Sequence, residues 1–137
     1  MLATKATLDL PKYRNLAERY GANAVDIPCP RFVEFIEKGD TSSDELKNYI
    51  IERLSEAGDI KAIVLGCTHF VFLKDTIHSL MPDIALFDGN DGVARHLRNT
   101  LSVRSLLNDK KGGGYELHTT SLDPVVLDLM QRYMVTE

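Results

Sequence analysis

A thiol, a hydroxyl and an imidazole stand side by side in this sequence at Cys67, Thr68 and His69. They follow residues 62–66, an apolar run with the length of a buried strand. Where such a strand passes into a helix, the free N–H groups of the first turn favour negative charge, and so favour the thiolate form of Cys67. A substrate carboxylate or phosphate could rest on the same N–H groups and on the Thr68 hydroxyl. His69 would position or protonate the cysteine, which makes Cys67 a candidate catalytic residue.

A purely structural interpretation of Cys67 stays open beside the catalytic one. Cysteine is among the most buried residue types, and at the end of a strand it commonly serves packing alone. The other cysteine, Cys29, precedes Pro30 at a second strand–helix junction, and we interpret it as structural. No group of Cys, His and carboxylate residues has the spacing of metal ligands, so we expect no metal site. No glycine-rich phosphate-binding motif follows a strand.

Size and composition exclude several classes of protein. The chain has 137 residues, which fits one domain with a modest core, and its formal net charge is -4. Without a basic patch, nucleic acid is not an expected partner. The apolar runs are far shorter than the roughly 20 residues of a membrane-spanning helix. The first ten residues lack the apolar core of a signal peptide, so we expect a cytoplasmic protein without a membrane partner.

Helical and strand patterns alternate along the chain. Helical spacing of apolar residues appears at 10–20, 29–39, 41–58, 69–82, 93–107 and 123–134. Short runs that indicate strands lie at 23–27, 62–66, 84–88 and 115–120, and a glycine-rich loop lies at 109–114. This alternation predicts an α/β fold with an open, mostly parallel sheet and helices on both faces. In such sheets the ligand site lies beyond the carboxyl ends of the strands, where Cys67 stands.

The segment "VLGCTHF" at 64–70 resembles the GCTHYP motif of bacterial glutamate racemases. Four other segments resemble the same family in the same order, so that the resemblance spans nearly the whole chain. They are "LATKATLDLPKY", "CPRFVEFIEKG", "IALFDGNDGVARHL" and "LHTTSLDPVVLDLM". The resemblance implies the flavodoxin-like half of an aspartate/glutamate racemase fold.

The resemblance also implies an activity. Glutamate racemases interconvert L- and D-glutamate without a cofactor and supply D-glutamate for peptidoglycan. Two cysteines face each other across the substrate, and each exchanges the α-proton from its own side. By position Cys67 would be the second of these cysteines, with His69 and Glu37 as the catalytic groups that assist it. The substrate-binding residues would be Thr68, Thr4 and Thr7.

The chain departs from the family pattern in ways that affect its expected activity. The family's chain is about twice as long, and its N-terminal half carries the other catalytic cysteine and an aspartate in a DSG motif. Val71 and Phe72 stand where the family has Pro-Leu. We therefore expect the C-terminal portion of a racemase, with residues 1–92 as its α/β domain, beginning within the first strand. Residues 93–137 would be a segment that packs back on the N-terminal domain in the family.

This incomplete match predicts that the chain alone does not racemise glutamate, and it leaves other functions open. The chain could form a homo-oligomer or dock with an N-terminal racemase half. It could be an aspartate racemase-like enzyme, although that group tends to have GCTE, so His69 favours glutamate. It could also be a non-catalytic binding or regulatory fragment. A thiol hydrolase using Cys67 and His69 would need an oxyanion hole and a third group that the sequence does not identify.

Overall fold

The computed structural model describes residues 1–20, 23–108 and 112–135, and it divides into two compact units, Met1–Gly89 and Asn90–Glu137. The described residues of the first unit form four short strands: β1 (Leu2–Ala3), β2 (Ile27–Pro28), β3 (Ala62–Val64) and β4 (Ala85–Phe87). All their pairings are parallel, β1 with β2 and β3 with β4. A parallel bridge between Leu2 and Leu65 places β1 beside β3. The mixed helix and strand content with short parallel pairs confirms the predicted α/β class.

The helices of the first unit are α1 (Lys5–Leu8), α2 (Pro11–Tyr20), α3 (Pro30–Glu37), α4 (Asp44–Ser55) and α5 (Lys74–Leu80). A 3₁₀ helix, Thr68–Leu73, directly precedes α5 and is called the site helix below. The second unit contains α6 (Asn90–Val103) and α7 (Pro124–Val135). None of the helices in the described ranges is both long enough and apolar enough to span a bilayer.

The helix starts follow from capping residues that the sequence displays. The Ser43 hydroxyl accepts a hydrogen bond from the Leu46 N–H at 3.1 Å, and Asp44 and Glu45 occupy the first turn of α4. Pro30 is the first residue of α3. A backbone N–H at this position has no hydrogen-bond partner within the helix, so proline, which lacks this N–H, is well tolerated there. Asp123 caps α7 by accepting from the Val125 N–H at 2.9 Å. The starts of α3 and α7 lie one residue after the predicted ones, and α4 begins three residues after its predicted start at residue 41.

One hydrophobic core holds the site helix against α3 and α4. Phe32 of α3 lies between Tyr49 of α4 and Phe70 of the site helix, with ring centroids 5.5 and 5.0 Å apart and edge-to-face geometry. Phe70 and Leu73 are fully buried, as are Ile36, Leu46, Ile50 and Ile77 around them. The site helix is therefore fixed mainly by its apolar side, which leaves its polar side for chemistry.

Two predicted elements are wrong. Residues 69–82 do not form one α-helix, because the chain runs as a 3₁₀ helix to Leu73 before α5 begins. Phe70 and Leu73 are three residues apart, which is the period of a 3₁₀ helix, so both can face the core. Residues 115–120 do not form a strand, since no strand pairs with this segment among the described residues. An alternating pattern without a partner leaves the backbone groups of a strand unpaired.

The remaining boundaries differ by a few residues. Within 23–27 only Ile27 belongs to a strand. The helix expected at 93–107 begins at Asn90 and ends at Val103. Of the predicted loop at 109–114, residues 109–111 lie outside the described residues.

Candidate active site

Cys67 lies just beyond the carboxyl end of β3, at the N-cap of the site helix. Two backbone hydrogen bonds fix the chain that leads to it. The Leu65 N–H donates to the Phe87 carbonyl at 2.7 Å, and the Gly66 N–H donates to the Leu2 carbonyl at 2.8 Å. The thiol is partly exposed. The parallel sheet therefore presents this thiol at the edge where α/β proteins hold their ligands.

His69 lies within reach of the thiol. Its Nδ1 is 3.9 Å from Cys67 Sγ, a distance that a long hydrogen bond to sulfur permits. Cys67 is the extended N-cap residue and His69 lies in the first turn of the site helix, so their side chains meet where the chain enters this helix. A proton can thus be exchanged between the imidazole and the sulfur, in a direction set by the tautomer of His69.

Glu37 approaches the far side of the same imidazole. It is the last residue of α3, and its Oε1 lies 3.6 Å from His69 Nε2. This separation is longer than a hydrogen bond, so the interaction is an ion pair only when His69 is protonated. The side chains of His69 and Glu37 are 39% and 65% exposed. Cys67, His69 and Glu37 therefore form an open series from sulfur to imidazole to carboxylate.

Gly66 contributes through its size. A glycine at the end of a strand can allow a sharp turn, yet Gly66 does not have the positive φ that Gly39 and Gly58 have. A Cβ at Gly66 would lie 3.1 Å from the Ala3 Cβ and 2.2 Å from Met1 Cε. A larger residue here would crowd Ala3, because β1 passes directly beside the chain that carries Cys67.

The threonines are placed differently from one another. Thr68 is exposed on the site helix next to Cys67. Thr4 follows β1 and caps α1, and its Oγ1 lies 3.0 Å from the Oγ1 of Thr7. Because β1 lies beside β3, Thr4 stands at the same edge of the sheet as Cys67. The structure thus brings Cys67, His69 and Glu37 together, with Thr68 adjacent and the Thr4–Thr7 pair at the neighbouring strand end.

Cys29 is a core residue. It is fully buried, and its Sγ donates to the Ile27 carbonyl at 3.5 Å. Burial raises the pKa of the Cys29 thiol to about 12, so this thiol stays protonated at neutral pH. The second cysteine of the chain is therefore unsuited to act as a base.

Residue patterns alone did not indicate an ion pair between Lys74 and Asp88. Lys74 begins α5 and Asp88 follows β4, and their Nζ and Oδ2 atoms are in direct contact. No local signal was available, because Lys74 lies within the helix predicted at 69–82 and Asp88 is the last residue of the strand predicted at 84–88. Among the described residues, no three Cys, His, Asp or Glu side chains are grouped so as to hold a metal ion.

Comparison with known proteins identifies relatives for the whole chain. It is 36% identical over 138 aligned positions to a glutamate racemase of Clostridium perfringens, covering 96% of this chain and 53% of that relative. It is 42% identical over 119 positions to a glutamate racemase of Clostridium botulinum, covering 82% of this chain and 46% of the relative. This chain is a homologue of the glutamate racemases. No family model matches it.

A solved structure supports the same relationship. The crystal structure of a glutamate racemase from Francisella tularensis in complex with D-glutamate superposes on this racemase homologue with a TM-score of 0.83 and 28% identity. The match covers 99% of this chain and 53% of that one. The racemase homologue thus spans about half the length of the relatives it matches, in agreement with the predicted resemblance to a portion of the family.

Proposed function

We propose that this chain provides one half of a glutamate racemase active site, in which Cys67 exchanges the α-proton of glutamate from one face. One observation carries the proposal: a thiol, an imidazole and a carboxylate lie in series at the carboxyl end of β3 in a homologue of glutamate racemases. A substrate carboxylate would bind at the exposed Thr68 hydroxyl and the N–H groups beside it. Thr4 and Thr7, at the neighbouring strand end, would line the pocket.

The proposed proton transfer uses each of the three groups. The α-proton of an amino acid is weakly acidic, so the base must be held in line with it. The Cys67 thiolate takes this proton and becomes a thiol, and the electron pair stays on the α-carbon. In the reverse direction the thiol returns the proton. His69 Nδ1 exchanges a proton with the sulfur between turnovers, and Glu37 orients the imidazole by attracting Nε2–H.

Inversion requires a second acid on the opposite face of the α-carbon. Cys29 cannot supply it, because its thiol is buried in the core and a pKa raised to about 12 makes it a poor proton donor. We propose that an N-terminal racemase half supplies this group, since the relatives are about twice as long as the span they share with this chain. His69 and Glu37 are exposed to water in this chain. Proton abstraction from carbon is favoured where water is excluded, so a second half that covers these two side chains would favour the reaction.

The biological setting follows from the family resemblance. The product would be D-glutamate, which bacterial glutamate racemases supply for peptidoglycan. The activity would be cytoplasmic and cofactor-independent.

Circular dichroism of L-glutamate tests the proposal. The purified chain alone is expected to leave the optical activity unchanged, since one thiol cannot act on both faces. A fusion that places the N-terminal half of the Clostridium perfringens relative before residue 1 is expected to convert L-glutamate steadily to the racemate. In that fusion Cys67→Ala abolishes the conversion, and the control Cys29→Ala retains it.

Two results would contradict the proposal. Steady loss of optical activity with the isolated chain would show that no second half is needed. Full activity of the fusion after Cys67→Ala would show that another residue is the base.

A further inference from the structure

The ion pair between Lys74 and Asp88 differs from the other ion pairs of the described residues in the burial of its acid. The Asp88 side chain is 9% exposed, whereas the acidic side chains of the others are at least about half exposed. The Lys74 side chain is 44% exposed. Exposed ion pairs contribute little to structure, because water and salt screen them and the side chains lose entropy. A charge-assisted contact to a nearly buried carboxylate is held more firmly.

The position of this pair relative to the site is set by the strand register. Val64 lies opposite Phe87 in the β3–β4 ladder, so the chain leaves β3 toward Cys67 at the level where it leaves β4 toward Asp88. Lys74 is the residue that directly follows the site helix. The contact therefore joins the end of the site helix to the end of β4. The start of the same segment is joined to β1 by the hydrogen bond from Gly66.

A 3₁₀ helix needs such external support. Its hydrogen bonds have poorer geometry than those of an α-helix, and six-residue runs are uncommon. Cys67 at its N-cap makes no side-chain capping bond. Yet two separations of the candidate site depend on where this helix lies: the 3.9 Å between Cys67 and His69, and the 3.6 Å between His69 and Glu37 of α3.

We propose that Lys74 and Asp88 are positioning residues for the Cys67–His69 pair. The ion pair fixes the trailing end of the site helix, so that His69 stays between the thiol and Glu37. Neither Lys74 nor Asp88 touches the reacting atoms in this role. The inference rests on the proposed function, in which His69 exchanges protons with Cys67.

The rate at which iodoacetamide alkylates Cys67 at fixed neutral pH reports on the interaction of Cys67 with His69. This measurement does not require racemase activity. Mass spectrometry assigns the modification to Cys67. A misplacement of a catalytic group by about 1 Å can change the rate of an enzymatic reaction by up to about 100-fold. Alkylation by iodoacetamide depends less on geometry, so we expect Lys74→Met to change the alkylation rate by about three- to tenfold. Asp88→Asn is expected to change the rate in the same direction as Lys74→Met, and Lys74→Arg, which keeps the charge, is expected to restore it.

Lys61→Met is the matched control. Lys61 pairs with Asp59 at 3.0 Å in full solvent at the start of β3, so the same substitution there is expected to leave the rate unchanged. The imidazole NMR signals of His69 provide a second readout, which Lys74→Met shifts and Lys61→Met does not. A merely stabilising role of the pair would lower the melting temperature without moving these signals.

His69→Ala separates failure of this inference from failure of the proposed function. If His69→Ala changes the alkylation rate and Lys74→Met does not, the positioning role of Lys74 and Asp88 is wrong. The interaction of His69 with Cys67 is then still supported. If His69→Ala leaves the alkylation rate unchanged, the proposed interaction of His69 with Cys67 is wrong. The positioning role of Lys74 and Asp88 is then wrong as well. Failure of Lys74→Arg to restore the rate also contradicts the inference.

Discussion

The contact between Phe32 and Phe70 gives the sharpest test of how the site helix is held. Phe32 is fully buried and makes two edge-to-face contacts, with Tyr49 and with Phe70. Each aromatic contact contributes about 0.5–1.5 kcal/mol beyond the burial of its area, so Phe32→Leu is expected to lower the free energy of unfolding by about 1–3 kcal/mol. Phe87→Leu is the matched control, because Phe87 is 56% exposed.

Urea denaturation followed by far-ultraviolet circular dichroism measures this loss. With a slope of about 1.5 kcal/mol/M, the midpoint of Phe32→Leu falls by about 0.7–2 M. The control changes the free energy of unfolding by less than about 0.5 kcal/mol, as surface substitutions usually do.

A double-mutant cycle with Phe70→Leu isolates the contact between α3 and the site helix. Since the two rings touch, a coupling free energy of about 0.5–1.5 kcal/mol is expected. Additive single substitutions, or a control as destabilised as Phe32→Leu, would refute the conclusion that this contact anchors the site helix.

Three further outcomes are expected. Iodoacetamide modifies Cys67 in the folded protein and leaves Cys29 unmodified until urea unfolds the chain, because Cys29 is buried and its pKa is raised to about 12. Peptide mass spectrometry identifies the modified cysteine, and modification of Cys29 before Cys67 would contradict this prediction. Burial acts to raise the pKa of Asp40, but hydrogen bonds from the following serines outweigh it and hold that pKa below its usual value. This stabilisation is present above about pH 4 and is lost as the pH falls through the lowered folded-state pKa. Thermal melts should show that pH dependence weakened in Asp40→Asn, and an unaltered profile would argue against it. Gly66→Ala forces its new methyl group against Ala3, 3.1 Å away, and is expected to lower the melting temperature, whereas the open-space substitution Gly89→Ala serves as the comparison.

Local features of the sequence were enough to predict some of the molecule. The α4 helix follows from its Ser43 cap and its apolar stripe, both of which are short-range signals. The proximity of Cys67 and His69 follows from adjacency in the chain, whichever helix type forms. The type itself was mispredicted, because the spacing of Phe70 and Leu73 suits a 3₁₀ turn as well as an α-helical one.

Features that depend on tertiary structure were harder to predict. Glu37 is thirty positions from Cys67 in the chain, and only the family resemblance connected them. The ion pair of Lys74 with Asp88 requires the β3–β4 register, which no local pattern fixes. The alternation at 115–120 looks like a strand, but a strand exists only when another strand pairs with it.

The series from Cys67 to Glu37 is drawn from two separate stretches of the chain, and this has an evolutionary consequence. Thiol and imidazole are encoded within three consecutive codons, so recombination or an insertion upstream carries both along as one block. The carboxylate comes from the end of α3, thirty positions earlier in the chain. Recombination at a point between α3 and β3 would therefore replace position 37 while positions 67 and 69 are inherited jointly.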